Sequence, residues 1–364
     1  MLSNSTIEER RRKLLVSSKV AFVHVKQHSG SVFESVSRAM NLIEWDSDLT
    51  FNSIFIKVNL LSREVMPGQC TSPWAFEGVL REIRTKYPNA YISYGDCDVA
   101  TSRQVDDAVK NWGFTEVGDR FDAKFINLSK DSTEVVNVGP IFGSLAIPKV
   151  LLSAEALITM PVVKTHCITP FTGALKNQWG LLPRARFKFH PVVHQAIAEV
   201  NAFFANKMKL GVADATISME GPGPRVGMPK ICDRIMASRD LVALDSLVGD
   251  YMGFDVSEIR FIREAERSGL GQSKFVAVGD SYEPNPFVKG RGQDYVIYRW
   301  RDRISNVPLL REFLQKEWFF KPLGWVATFH ARHNWYRKIG RKRAIDVCEK
   351  SGYGKQFSHL IEQC

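Results

Sequence analysis

Lysine, histidine, asparagine and carboxylate side chains recur where short apolar runs of this chain end. They are Lys57 with Asn59, Asp96 after Gly95, Lys164 with His166, Lys176 with Asn177, then His190, Asp214, and Glu220 ahead of Gly221 and Gly223. Residues two apart in extended chain point the same way, so Lys57 and Asn59 can reach one ligand together, as can Lys164 and His166. Ammonium groups so gathered neutralise an anion and stabilise charge developing on it, while imidazole and carboxylate groups move protons. The chemistry expected is that of an enzyme acting on an anionic small molecule, a carboxylate or a phosphate. In that reading Lys164, His166, His190, Asp214 and Glu220 are catalytic, and Lys57, Asn59, Asp96, Lys176, Asn177, Gly221 and Gly223 contact the substrate. Each residue alone has a blander explanation, because a lysine at a strand exit is usually solvated and an aspartate there often caps a helix or makes a turn. Lys57 resists it most: it interrupts the apolar run Ile54-Phe55-Ile56-Lys57-Val58, and burying an uncompensated ammonium costs several kcal/mol.

Other chemistries are weaker. His190 and His194 are spaced i, i+4, and His166, Cys167, Asp214 and Glu220 could complete a metal shell. That spacing is common by chance and Pro191 puts His190 at a helix edge, so no metal is expected and the cofactor stays unassigned. His28-Ser29-Gly30-Ser31 could offer backbone donors to a phosphate, but neither a Walker lysine loop nor G-x-G-x-x-G is present, so an ordinary turn is expected. Six cysteines are scattered with no C-x-x-C pair, which fits reduced thiols better than a zinc ribbon or a thioredoxin motif.

These residues need a scaffold that delivers strand ends to one rim. Val20–Val25 reads as a buried strand followed by helical spacing from Ser31 to Trp45. Ser53–Val58 leads to a helix over Pro73–Lys86 with Thr71 or Ser72 as cap, and Ala90–Tyr94 leads to a helix over Ser102–Trp112. Residues 123–150 read as a hairpin-rich insertion, Ala156–Met160 as a strand, Pro191–Asn206 as a helix, and Leu210–Ala213 as a strand delivering Asp214. Gly and Pro between Glu220 and Gly227 demand a shaped loop. A helix capped by Asp240 runs to Met252, and Lys274–Val278 is the last strand. Strands alternating with helices give an α/β class with a mainly parallel sheet, whose ligands sit outside the strand carboxyl ends. The expected organisation is a lead-in over 1–19, a core over 20–280 and an extension over 281–364.

The 364 residues carry a formal net charge of +10. After Tyr295 the chain has fourteen Lys and Arg against six Asp and Glu, interleaved with Trp300, Trp318, Trp325, Phe329, Trp335 and Tyr336. That mixture suits an acidic membrane surface, with nucleic acid the poorer partner. The simpler expectation is a helical appendage packing its aromatics on the core. No apolar run approaches the roughly 18 to 20 residues of a membrane span, and Met1–Arg12 carries charges without a leader's apolar stretch, so a cytoplasmic location is expected.

At Ile56-Lys57-Val58-Asn59-Leu60, Gly95-Asp96, Lys164-Thr165-His166, Leu175-Lys176-Asn177-Gln178-Trp179-Gly180, His190, Asp214, Met219-Glu220-Gly221-Pro222-Gly223-Pro224 and Ser238-Arg239-Asp240-Leu241-Val242-Ala243-Leu244-Asp245, the chain resembles the family called domain of unknown function 362. The likeness spans about Val20 to Asp280. The resemblance implies no agreed activity, and some relatives append a ferredoxin-like iron-sulfur segment. Beyond the core this chain has only Cys348 and Cys364, so the metal- or redox-linked role suggested by those relatives is the alternative rather than the expectation. A non-catalytic module docking through the basic tail is the other.

Overall fold

The computed structural model describes residues 18–26, 29–47, 50–99, 104–290, 322, 325–326, 328–353, 357 and 359–361. Most of the expected lead-in, His28, and the tail aromatics Trp300 and Trp318 lie outside the described residues.

A mixed but mainly parallel sheet forms the centre. Its strands are β1 (Ser18–His24), β2 (Ser53–Lys57), β3 (Tyr91–Asp96), β4 (Ala123–Asn127), β7 (Ala156–Thr159), β8 (Val162–Thr165), β9 (Phe171–Thr172), β10 (Met208–Glu220), β11 (Met228–Ser238) and β12 (Phe275–Gly279), while β5 (Thr133–Gly139) and β6 (Gly143–Pro148) make a separate hairpin. The main path runs β12-β1-β11-β10-β7-β2-β3-β4, and β8 joins β10 and β9 off it. Within 123–150, therefore, only 133–148 is a hairpin set apart, and Ala123–Asn127 extends the main sheet beside β3.

Period-two alternation sends successive side chains to opposite layers. From β1, Ala21 and Val23 join one core with the helices Ser29–Leu42 and Pro73–Lys86, and Val20 and Phe22 join the other with the helices Val193–Phe204 and Leu241–Tyr251. The same alternation in β2 puts Ile54 and Ile56 on the first side and Phe55 on the second. Lys57 shares the parity of Phe55.

Caps fix the helix starts. Ser72 accepts from the Ala75 amide at 3.3 Å ahead of Pro73, and Asp240 accepts from the Val242 and Ala243 amides at 2.8 and 3.0 Å. The strand carrying Asp214 departs from expectation. It runs on to Glu220, because β11 supplies an antiparallel partner along its length, so Asp214 sits inside a strand and not at its exit.

The C-terminal helices His330–Gly340 and Arg341–Lys350 lie on the first core. Tyr336 donates its hydroxyl to the Val65 carbonyl at 2.9 Å. Farther along, Tyr353 stacks on Trp74 with ring centroids 5.9 Å apart, and Phe357 meets it edge-on at 4.4 Å. No helix among the described residues is long and apolar enough to cross a membrane.

Candidate functional site

Register sets the first half of the site. In the sheet Lys57 of β2 stands beside Gly95 of β3 and Thr159 of β7. Its ammonium lies 2.9 Å from Asp96 Oδ1 and donates to the Val58 carbonyl at 2.6 Å and to Asn177 Oδ1 at 3.3 Å. Asn177 Oδ1 also accepts from Asn59 Nδ2 at 2.9 Å, and its Nδ2 donates to Thr159 Oγ1 at 2.9 Å. Asn59 Oδ1 in turn accepts from Lys164 Nζ at 2.7 Å, which also donates to the Gln69 carbonyl. Asp96, Lys57, Asn177, Asn59 and Lys164 thus form one continuous polar chain across the rim.

Burial makes that chain electrostatically unusual. Lys57 is 1% exposed and Lys164 2%. Desolvation lowers the affinity of both amines for a proton. For Lys57 the neighbouring Asp96 carboxylate opposes the fall. Lys164 is pulled down to about 7, by burial first, with the Lys176 and Lys57 cations adding to the effect and Cys70 and Asp96 opposing it.

Lys176 differs in kind. It stands on the single turn Ala174–Asn177, whose first amides, Ala174 and Leu175, donate to the buried Asp245 carboxylate at 2.6 and 3.0 Å. Lys176 is half-buried, and no other described residue gives its ammonium a hydrogen bond or an ion pair. Burial and the charges of Arg186 and Lys57 push it down to about 8, against an opposing pull from Cys167. Arg186 is itself buried and donates to Cys97 Sγ at 3.2 Å and to the Leu182 and Asp98 carbonyls at 2.8 and 2.9 Å. Lys57 therefore feels the Asp96 carboxylate and the Arg186 guanidinium, and Lys164 and Lys176 each feel the Lys57 ammonium in turn.

His166 follows β8, and its Nδ1 accepts from the Ile168 amide at 3.0 Å, so in the neutral ring the proton is on Nε2. The glycine loop closes beside it: Thr165 Oγ1 donates to the Gly221 carbonyl at 2.7 Å, and a Cβ on Gly223 would meet the Thr165 carbonyl oxygen at 2.0 Å. Gly221 and Gly223 are thus placed by backbone packing at the end of β8.

The expected carboxylates each have partners in the fold. Asp214 accepts from the Ser72 amide at 2.7 Å and from the Thr216 amide and hydroxyl at 3.0 and 2.7 Å. It ties β10 to the start of a helix. Glu220 pairs with Lys230 at 3.3 Å and accepts from the Val288 amide at 3.0 Å, stapling the hairpin tip to the following segment. The two helix-edge histidines part company: His190 packs on Trp179 with centroids 5.6 Å apart, whereas His194 stacks on Phe261 at 6.4 Å. Among the described residues no group of three or more His, Cys, Asp or Glu could hold a metal ion.

Sequence reasoning passed over Gln69, Thr159, Gly180 and Asp245 as site residues. Gly180 and Asp245 had signals, a glycine after Trp179 and an aspartate inside the apolar run Leu241–Val248. A Cβ on Gly180 would stand 2.5 Å from Asp96 Oδ1 and 2.7 Å from Lys57 Cε, so only glycine admits the ion pair there. Gln69 and Thr159 act through contacts with Lys164 and Asn177, distant along the chain, that no spacing announces.

Comparison with known proteins adds three likenesses. A thylakoid-associated protein of Synechocystis sp. is 27% identical over 135 residues, which are 35% of this chain and 42% of that protein, so the match spans less than half of the relative. The lactate racemase apoprotein of Thermoanaerobacterium thermosaccharolyticum aligns with a TM-score of 0.44 at 13% identity, over 65% of this chain and 57% of that one. A Thermotoga maritima protein aligns with a TM-score of 0.37 at 11% identity, over 66% and 58%. The rim motifs all fall within residues 54–250, the stretch matched by the model of the family described as domain of unknown function (DUF362), and the chain belongs to that family.

Proposed function

We propose that this protein is an enzyme acting on a small anionic substrate, a carboxylate or a phosphate, at the rim where β2, β3 and β8 end. The observation that carries the reading is the contrast along the rim. Lys57 and Lys164 have protein partners, while Lys176 has none among the described residues and keeps some access to solvent. An unpaired cation beside a saturated cationic network is where an anion gains most.

In this reading Lys176 binds the anion, with Arg186 and Lys57 contributing field. Lys164, drawn down to about 7, exchanges its proton near neutral pH, as general acid–base catalysis requires, and His166 is the second proton carrier. Asp214 and Glu220, held by structural bonds, are positioning residues.

The test is thermal unfolding with inorganic phosphate, pyrophosphate and malonate, each against sodium chloride of equal ionic strength. At least one anion should raise the melting temperature of the wild type, and Lys176→Ala should abolish that rise while Lys164→Met reduces it. If no anion acts beyond chloride, or if Lys176→Ala responds like the wild type, the rim is not an anion site.

A further inference from the structure

The C-terminal helices present two unlike faces. Tyr336, Ala344, Val347 and Cys348 are buried against the core. Trp325 is 68% exposed, Val326 53%, Phe329 49%, Ile339 43% and Ile345 41%. Half of the large apolar side chains exposed among the described residues fall in this one short stretch. Trp325 and Phe329 stack at 5.8 Å, and Phe329 meets His333 at 4.5 Å, so the four-residue spacing builds an outward aromatic stripe.

Charge on the same segment is one-sided. Arg337, Lys338, Arg341, Lys342 and Arg343 are all exposed, and none has a carboxylate partner among the described residues. The sequence holds no Asp or Glu between Glu317 and Asp346.

We propose that this outer face docks the protein on an anionic lipid bilayer, independently of the rim chemistry. Exposed tryptophan and phenylalanine seat in the interfacial region, and basic side chains beside them are drawn to acidic headgroups. The aliphatic members choose between polyanions. Val326, Ile339 and Ile345 offer no ring on which a base could stack, but each gains by leaving water for the acyl boundary. The inward face anchors the helices, so docking needs no unfolding of the core.

The experiment is vesicle co-sedimentation of the full chain, with pure phosphatidylcholine against phosphatidylcholine containing about 30 mole per cent phosphatidylserine. The wild type should pellet with the acidic vesicles, stay in the supernatant with the neutral ones, and be released by salt. The Arg341→Glu, Lys342→Glu, Arg343→Glu variant should lose at least about ten-fold in partitioning. Trp325→Ala with Phe329→Ala should weaken binding while leaving its dependence on phosphatidylserine. All five side chains are exposed, so unchanged melting temperatures should accompany both losses. Wild type that stays in the supernatant with acidic vesicles overturns the proposal, as does equal binding by the charge-reversed variant. Retention on single-stranded DNA without vesicle binding would overturn it in favour of a nucleic-acid face.

Discussion

Two groups of cations in this protein have the same formal charge and opposite physics. Lys57 and Lys164 are sealed at the rim, where each ammonium is held by oxygens from other strands and loops. Arg337 to Arg343 project from the C-terminal helices into solvent. Desolvation drives the buried amines toward their neutral forms and makes every lost partner expensive. Water screens the exposed ones, so their positions are tolerant of change and their influence is felt only by a surface that approaches them.

The contrast breaks most sharply at Asp96. Replacing Asp96 with Ala leaves the Lys57 ammonium buried without its carboxylate, and stability in urea unfolding should fall by about 3–5 kcal/mol. Pairing Asp96→Leu with Lys57→Met should recover much of the loss, since a buried ion pair replaced by packed apolar groups is often neutral.

A smaller effect is expected from pH. Lys164 titrates near 7 in the folded chain, against an ordinary 10.5. Between those values the unfolded chain binds a proton that the folded chain does not, so stability rises with pH through that window and is lost as pH falls through 7. From pH 7 to 8.5 the gain from Lys164 alone should approach about 1 kcal/mol per pH unit; Lys176, pushed down to about 8, adds to it in the same sense, so Lys164→Met should lessen the gain without abolishing it. Asp245 works in the opposite sense below this window: burial raises its carboxyl to about 7, so its contribution declines as pH climbs toward that value. The buried thiols Cys70 and Cys232, both pushed up to about 11, oppose the gain only where ordinary thiols ionise, which is why the comparison stops at pH 8.5. A stability flat in pH for the wild type would remove the neutral-lysine reading.

The smallest effect belongs to the tail. Lys342→Ala and Arg343→Ala should each change unfolding free energy by no more than about 0.5 kcal/mol. A larger loss would mean that these charges serve the fold and not a surface.

Much of the scaffold was legible because its signals are local. Short apolar runs marked β1, β2, β3, β7 and β12, and the caps Ser72 and Asp240 follow from hydroxyl and carboxylate groups just ahead of apolar helical spacing. β11 was not, because Pro229, Lys230, Asp233 and Arg234 break its alternation; its strand conformation comes from pairing with β1 and β10. That same pairing carried β10 past Asp214 and removed the expected exit.

The candidate site divides in the same way. Residue types and the two-apart spacing of Lys57 with Asn59 were set by the sequence, since a strand's geometry is common to all strands. Which groups meet was decided in three dimensions. Lys57 finds Asn177 across 120 residues of chain and Lys164 finds Asn59 across 105. Hydrogen bonds and desolvation act over a few ångströms of space, whatever the separation along the chain. That the Lys176 ammonium has no hydrogen-bond partner among the described residues, and that Asp214 and Glu220 make structural bonds, could therefore emerge only from the folded arrangement.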